Sequence, residues 1–251
     1  MNGMMSSALA GIVRREGARE NKPKDHFRIS SIGHCVRKQI AMRAGIPPAF
    51  EPTDREILKM WLGTVLHSAI QSSLEVEGFF VQTWTEREVQ YRSYKGHVDG
   101  LTRKLPDVAE KGAAPVSIKT CDDTAITKYP EPAENYLWQD FTYLLATKYL
   151  RFLLYRLGRK QALDKETVHY LTDEWKKKID EHIDEMEALW KEYEKTKVLP
   201  PCKHRFGWED KSCGYREVKA VVEKKADYNP FAQTETDREL SDFLDNKEKK
   251  A

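Results

Sequence analysis

The sequence has few cysteines and no long apolar run. Its four cysteines, scattered over 251 residues, are too few for the disulfide framework of a secreted protein, so we expect a reducing compartment. No apolar segment approaches the ~20 residues of a membrane-spanning helix. The first basic residues follow the short apolar patch near the start, whereas a secretory signal has them before it. We therefore predict a cytoplasmic protein with reduced thiols and no membrane partner.

A large excess of charge of one sign is also missing. Lys and Arg total 42 and Asp and Glu total 40, and the net charge of +2 gives no overall sign of a nucleic-acid partner. The charges are nevertheless segregated, because residues 139–163 contain five basic residues and one acidic residue, and residues 173–195 contain five basic and nine acidic residues. We expect a flexible basic N-terminal arm over 1–28, a domain over 29–216 and a charged C-terminal tail over 217–251.

Hydrophobic periodicity predicts the order of secondary structure. Helices are expected over 31–44, 58–74, 134–148 and 173–195, and Asp173 is the expected N-cap of the last one. Extended segments are expected over 79–91, 96–101, 115–120 and 167–171. Residues 150–155 either continue the third helix or form a buried strand. This order predicts an α/β fold with a small mixed central sheet flanked by helices.

Four of these elements in succession carry side chains suited to phosphodiester chemistry. In chain order these are His67, four residues after Gly63; Asp99, before Gly100; Lys119; and the pair Gln139 and Tyr143, which lie one turn apart on one helix face. The ordered set resembles the PD-(D/E)XK nuclease superfamily and, within it, the RecB-like branch. That branch includes nuclease domains of bacterial recombination helicases, nucleases of CRISPR spacer acquisition and phage exonucleases. The resemblance runs from about Ser30 to Tyr215.

The resemblance implies a restriction-endonuclease-like core and a Mg²⁺- or Mn²⁺-dependent deoxyribonuclease, in particular an exonuclease. Such an enzyme acts on DNA ends or single strands in recombination, replication or phage DNA processing. It would work beside recombination or replication proteins, in the nucleoid or in the cytoplasm of a phage-infected host. The partner that the resemblance implies is therefore DNA, as single strands or as duplex ends.

The resemblance also implies a role for each motif residue. Asp99, His67 and the backbone carbonyl of Ile118 would bind the metal, and Lys119 would orient the attacking water. Gln139 and Tyr143, on the helix that follows, would brace the site or contact the phosphate backbone. Elementary chemistry agrees with these roles. A carboxylate suits Mg²⁺, an imidazole ligand favours Mn²⁺ somewhat, and an ammonium group stabilises the negative charge that develops on phosphate.

The sequence departs from the family pattern at Ser117. The pattern has a carboxylate two residues before the lysine, on the same face of the strand. Three explanations stay open: the carboxylate has moved elsewhere, the site works without it, or the protein is a catalytically silent nuclease that binds DNA ends. For a moved carboxylate the candidates are Glu86, Glu88, Asp122 and Asp123, and we expect Glu88.

The cysteines depart from the pattern as well. Many RecB-like nucleases hold an iron–sulfur cluster with one cysteine before the core and three after it. Cys35, Cys202 and Cys213 stand at such positions, but no Cys-x-x-Cys pair is present, and Lys219 stands where a last cysteine is expected. The three cysteines either form a zinc site with His204 or are ordinary thiols of a vestigial cluster site, and we prefer the second interpretation.

Basic and aromatic residues near the motifs suit a nucleic-acid substrate. Lys148, Arg151 and Arg156 follow the Gln139–Tyr143 motif, and we predict that they bind the DNA backbone. Aromatic rings near such a groove stack on the bases of single-stranded DNA, but they are equally suited to the core. The rings in question are those of Trp84, Tyr91, Tyr94, Tyr129, Tyr136 and Trp138.

Overall fold

The protein folds around two small β-sheets with helices on their faces. The structure, a computed structural model, describes residues 9–13, 22–49, 52–104, 112–129, 131–159, 163–205, 209 and 213–216. Of the predicted N-terminal arm it describes 9–13 and 22–28, and the predicted tail over 217–251 lies outside the described residues, as does Lys219. In the part of the chain that the structure describes, no helix is both long and apolar enough to cross a membrane.

The secondary-structure elements follow one another in a mixed order. The helices are α1 (residues 9–13), α2 (Val36–Arg43), α3 (Asp54–Val76), α4 (Asp123–Thr127), α5 (Glu134–Thr147) and α6 (Asp173–Thr196). The strands are β1 (Phe27–Arg28), β2 (Arg87–Tyr91), β3 (Tyr94–Val98), β4 (Gly100–Thr102), β5 (Ala114–Cys121), β6 (Arg151–Gly158) and β7 (Asp164–Tyr170).

Both sheets combine parallel and antiparallel pairs. The first has the strand order β1-β3-β2, with β1 parallel and β2 antiparallel to β3. The second has the order β4-β5-β6-β7, in which only β5 and β6 are parallel. Helices α4 and α5 form the crossover that a parallel pair requires. The predicted α/β class is confirmed, and the arrangement is consistent with a restriction-endonuclease-like core. The single sheet that we predicted is in fact two sheets.

The core lies mainly between the first sheet and helices α2, α5 and α6. Its fully buried side chains include Phe27, Ile40, Tyr94, Ile179 and Ile183. A smaller cluster of Phe80, Val116, Ile118 and Leu153 lies on the other face of the second sheet, where Ile70 and Leu74 of α3 pack on it. Strand β5 therefore has α5 on the face that carries Lys119 and α3 on the face that carries Ile118.

Several predicted boundaries are close to the observed ones, and two details differ. The predicted helix over 134–148 is α5, and the strand alternative for 150–155 is correct, because these residues form most of β6. Helix α6 has Thr172 rather than Asp173 as its N-cap, and the Thr172 hydroxyl accepts the Trp175 N–H at 3.3 Å. Residues 79–86 are not a strand, since they contain only a single bridge at Phe80 and one 3-10 turn.

Helix α3 is longer and more exposed than its apolar periodicity predicts. It begins with a capping box, in which Thr53 and Glu56 exchange side-chain and backbone hydrogen bonds. Only Ile57 and Gln71 of this helix are buried. Its periodic apolar positions include three side chains that are more than one-third exposed: Trp61, Leu62 and Val65.

Candidate metal centre and active site

Asp99 lies where the chain leaves the first sheet and enters the second. It is the single residue between Val98, the end of β3, and Gly100, the start of β4. Asp99 also binds the neighbouring strand through its side chain. Next to the paired residues of β4 and β5, its Oδ2 accepts the Ile118 backbone N–H at 2.5 Å. Asp99 is 9% exposed, and this burial raises the pKa of its carboxyl group, although the charges of Lys119 and His67 act in the opposite direction.

His67 of helix α3 and Glu86, the residue just before β2, add two further ligand atoms beside this carboxylate. His67 Nε2 lies 3.6 Å from Asp99 Oδ1 and 3.7 Å from Glu86 Oε1. The ligand atoms of His67, Glu86 and Asp99 all lie within 4.8 Å of one another, which is the spacing of a possible metal site. His67 Nε2 is buried and has no hydrogen-bond partner among the described residues.

Gln71, which the sequence analysis missed, holds this cluster together. Its Nε2 donates to Glu86 Oε1 at 2.7 Å and to the Asp99 carbonyl at 2.9 Å. Gln71 lies one turn after His67 on α3, so the two side chains share a helix face. That spacing is a signal in the sequence that could have identified it.

The carboxylate next to Asp99 belongs to Glu86, not to Glu88 as we expected. In the antiparallel register, Arg87 faces Val98 and Glu88 faces His97, so Glu86 comes level with Asp99. Glu86 also has φ = 51°, a left-handed conformation that is unusual for a residue other than glycine. The Glu88 carboxylate instead lies 4.0 Å from His97 Nε2 at the surface.

A chain of hydrogen bonds links Lys119 to the first sheet through helix α5. Lys119 Nζ donates to Gln139 Oε1 at 3.0 Å, and Gln139 Nε2 donates to Tyr143 Oη at 3.4 Å. Tyr143 Oη donates to the His97 carbonyl at 2.7 Å, two residues before Asp99. Burial raises the pKa of Tyr143, so its hydroxyl keeps the proton that it donates. The helix therefore connects the lysine to the backbone beside Asp99.

Close approach of α5 to β3 depends on Gly96. A Cβ atom built at Gly96 would lie 3.0 Å from Tyr143 Oη and 3.0 Å from Ile29 Cβ. A larger residue at this position would require Tyr143 or Ile29 to shift by a few tenths of an ångström. The glycine of the predicted strand over 96–101 therefore allows the close contact between α5 and β3.

Ser117 is buried on the face of β5 that α5 covers, and α5 also carries a buried acid that pairs with a histidine. Ser117 is 1% exposed, and its Oγ has no hydrogen-bond partner among the described residues. Asp140 of α5 is fully buried, and its Oδ2 lies 3.3 Å from Nδ1 of His169 on β7. Burial raises the pKa of Asp140, while its contact with His169 lowers it. The other candidates for a moved carboxylate, Asp122 and Asp123, cap or begin helix α4.

Two of the three predicted DNA-binding residues are buried. Arg151 is 5% and Arg156 is 2% exposed, and Arg156 Nη1 donates to the Tyr129 carbonyl at 3.1 Å. Both lie within strand β6. The prediction was based on a count of charges along the sequence, which does not distinguish a buried arginine from an exposed one. Lys148 is exposed at the C-cap of α5.

The aromatic residues divide between core and surface. Tyr94 and Trp138 are in the core. Tyr129 is 67% exposed, and it lines a groove with Lys128 and Tyr136. Lys119 Nζ lies 5.8 Å from the centre of the Tyr136 ring. The groove therefore begins next to the candidate active site.

The structure brings together the three cysteines whose role the sequence left open. The thiols of Cys35, Cys202 and Cys213 and one ring nitrogen of His204 all lie within 4.8 Å of one another. Cys121, the fourth cysteine, lies at the end of β5, away from this group.

The solved structures that match this chain include SSO0001, whose TM-score is above 0.5, and two structures of LHK-Exo, whose TM-scores are below 0.5. SSO0001 is 18% identical with a TM-score of 0.53, and the match covers 89% of this chain and 100% of that one. LHK-Exo in complex with dAMP is 15% identical with a TM-score of 0.48, and the alkaline exonuclease LHK-Exo from Laribacter hongkongensis is 15% identical with a TM-score of 0.43; each match covers 71% of this chain and 94% of the other. No protein-family model and no curated protein matches the chain. The likeness to SSO0001 concerns the fold alone.

Proposed function

We propose that the protein is a metal-dependent nuclease that hydrolyses phosphodiester bonds of DNA, at ends or in single strands. The observation that carries this proposal is the meeting of His67, Glu86 and Asp99, which come from three separate segments of the chain, in one cluster of ligand atoms. The lysine and glutamine of the neighbouring strand and helix lie hydrogen-bonded beside it. Such a combination of carboxylates, imidazole and ammonium is what hydrolysis of a phosphodiester needs.

The residues of the cluster fit a divalent cation. Two carboxylates and a nitrogen suit Mn²⁺ or Mg²⁺, and the buried Nε2 of His67 has no hydrogen-bond partner among the described residues. The Glu86 side chain is 55% exposed, so the cluster is open to a substrate on that side. A bound ion would make a water molecule more acidic and screen the charge of the phosphate. Glu86 supplies the second carboxylate that the serine at position 117 does not.

Lys119 acts on the attacking water and the phosphate. Its ammonium group donates hydrogen bonds to the water oxygen and to the phosphate oxygen on which negative charge grows. Gln139 restricts the amine to one position through the 3.0 Å hydrogen bond. Gln139 and Tyr143 are thus positioning residues, since they act through Lys119 and through the backbone beside Asp99.

The groove next to Lys119 fits a single-stranded segment of DNA. The exposed ring of Tyr129 offers a surface on which a base can stack, and Lys128 offers a charge for the backbone. Arg156 also lines this groove, but it is only 2% exposed and its guanidinium binds the Tyr129 carbonyl, and Arg151 is buried as well. We assign DNA contact instead to Lys128, Tyr129 and the exposed Lys148.

The test is a cleavage assay on end-labelled linear DNA, single-stranded and duplex, with Mg²⁺, Mn²⁺ or EDTA. We expect metal-dependent products from the wild type and none from Asp99→Asn or Lys119→Met. Lys177→Met is the matched control, because Lys177 is 78% exposed on α6 and lies outside the site. It should cleave as the wild type does.

Two outcomes would overturn the proposal in different ways. Retained DNA binding without cleavage under either metal would identify a catalytically silent DNA-end-binding protein, the alternative that Ser117 raises. Cleavage that survives both Asp99→Asn and Lys119→Met would mean that the chemistry takes place at another site.

A further inference from the structure

A second cluster of metal-binding side chains joins two distant parts of the chain. Cys35 lies just before α2, whereas Cys202, His204 and Cys213 follow α6. Their three sulfurs and one ring nitrogen lie within 4.8 Å of one another. Cys35 is fully buried, and Cys213 is 7% exposed. Four soft or borderline donors with this spacing are uncommon unless they bind a metal.

Buried hydrogen bonds fix the backbone around this cluster. Glu209, which is 2% exposed, accepts the Cys35 N–H at 3.0 Å and the Arg205 N–H at 3.2 Å. Arg37 donates to the Tyr215 carbonyl at 2.8 Å and to the Pro200 carbonyl at 2.9 Å. Each of these side chains connects the segment around α2 with the segment after α6, on either side of the cluster. The donors are thus held in position by residues that do not bind the metal themselves.

We propose that Cys35, Cys202, His204 and Cys213 bind one structural zinc ion. Zinc prefers four tetrahedral ligands of this kind, and sulfurs bound to one ion at ~2.3 Å lie about 3.8 Å apart. The upper limit of 4.8 Å between the donors is compatible with that spacing. All four positions are filled by the protein, which is typical of a structural rather than a catalytic zinc site.

The same geometry does not fit the iron–sulfur cluster that the family resemblance implies. Such a cluster is held by four cysteine thiolates, and this site has three thiolates and an imidazole. Thiolates on separate irons also lie farther apart than thiolates on a single ion. The donor set is therefore suited to a single ion rather than to a cluster.

The zinc site would stabilise the helix that carries Gln139. The Arg205 guanidinium, one residue after His204, stacks 3.9 Å above the ring of Trp138 on α5. Gly33, two residues before Cys35, lies against the same ring, and a Cβ there would be 2.8 Å from Trp138 Cγ. The segments on both sides of the zinc site thus contact the Trp138 ring, one through Arg205 and the other through Gly33. This inference does not depend on nuclease activity, because metal content and folding stability test it directly.

The first test is the metal content of the purified full-length protein, measured by mass spectrometry. We expect about one zinc per chain in the wild type and in Cys121→Ser, the matched control, because Cys121 is the cysteine outside the cluster. Cys202→Ser and His204→Gln should lose most of that zinc. A brown protein that contains several irons and inorganic sulfide would overturn the proposal in favour of a cluster.

The second test uses the wild type alone, so that a misfolded variant does not confuse the result. A thiol-compatible chelator should lower the melting temperature by at least about 5 °C, and Zn²⁺ but not Mg²⁺ should restore it. Co²⁺ added to the stripped protein should give the visible absorption of a tetrahedral thiolate complex. An unchanged melting temperature after chelation, in a protein that contains no zinc, would show ordinary thiols.

Discussion

Lys119 Nζ donates a hydrogen bond to Gln139 Oε1 at a distance of 3.0 Å, across the contact between β5 and α5. This bond removes much of the rotational freedom of a long and flexible side chain. The same glutamine is held by Tyr143, whose hydroxyl contacts the backbone of β3. The position of the ammonium group is therefore set by the first sheet through two intermediate side chains.

Replacement of Gln139 by leucine should slow cleavage without abolishing it. Loss of the acceptor leaves Lys119 mobile, so we expect kcat to fall about 10–100-fold and KM to change little. Single-turnover cleavage with saturating DNA measures this effect. Gln90→Leu is the matched control, because the Gln90 side chain is exposed on β2 and, among the described residues, bonds to the Arg92 carbonyl alone. Equal losses in both variants would contradict a positioning role for Gln139.

Replacement of Asp99 by asparagine should abolish cleavage and raise the stability of the metal-free protein. The neutral amide can still accept the Ile118 N–H, while the cost of burying a charge disappears. We expect the melting temperature in EDTA to rise by roughly 2–4 °C. Differential scanning fluorimetry with and without Mn²⁺ measures both effects. The stabilisation by Mn²⁺ should vanish in the variant, and a wild-type response to Mn²⁺ would contradict the assigned ligand.

Glu86 and Glu88 provide a direct comparison of two carboxylates on the same segment. Glu86→Gln should weaken metal binding and lower cleavage about 10–100-fold, since it removes one of two anionic ligands. Glu88→Gln should leave both unchanged, because Glu88 lies beside His97 at the surface. The concentration of Mn²⁺ that gives half-maximal cleavage is the measurement. The reverse ranking would restore our original expectation that Glu88 is the ligand.

The sequence was most informative about elements with strong local signals. Helix α5 and strand β5 were predicted to within a few residues, because long apolar periodicity and β-branched runs determine them locally. The division into two sheets was missed, since it depends on Asp99 lying between two short strands that appear continuous in the sequence. The exposure of α3 was also missed, because periodicity indicates an apolar face but not whether another element covers it.

The site itself could be predicted only in part. His67, Asp99 and Lys119 occur in recognisable patterns, and the structure brings His67 and Asp99 within 3.6 Å. The second carboxylate could not be chosen from the sequence, because the choice depends on the register of β2 with β3 and on the left-handed backbone of Glu86. A pattern search also cannot distinguish the buried Arg156 from a surface arginine.

A buried histidine lies in the core near the proposed zinc site. His182 on α6 is 4% exposed, and its ring lies 5.4 Å from that of Trp138. Burial and the positive charge of Arg205 lower the pKa of His182 to about 4, from an ordinary value of 6.5. Gln39 and Glu185 face its two nitrogens, and Lys203 adds a second positive charge nearby.

Because the pKa is lower in the folded state, the unfolded chain binds the proton more readily, and stability falls as the pH drops from 6.5 towards 4. Between pH 7 and pH 5 this group alone should lower the free energy of unfolding by about 2 kcal/mol. Urea denaturation of the wild type and His182→Gln at both pH values measures the difference. The variant should lose about 2 kcal/mol less than the wild type between pH 7 and pH 5, since a glutamine does not titrate. If both proteins lose the same amount, another group causes the acid sensitivity, and the burial of a neutral His182 does not contribute to it.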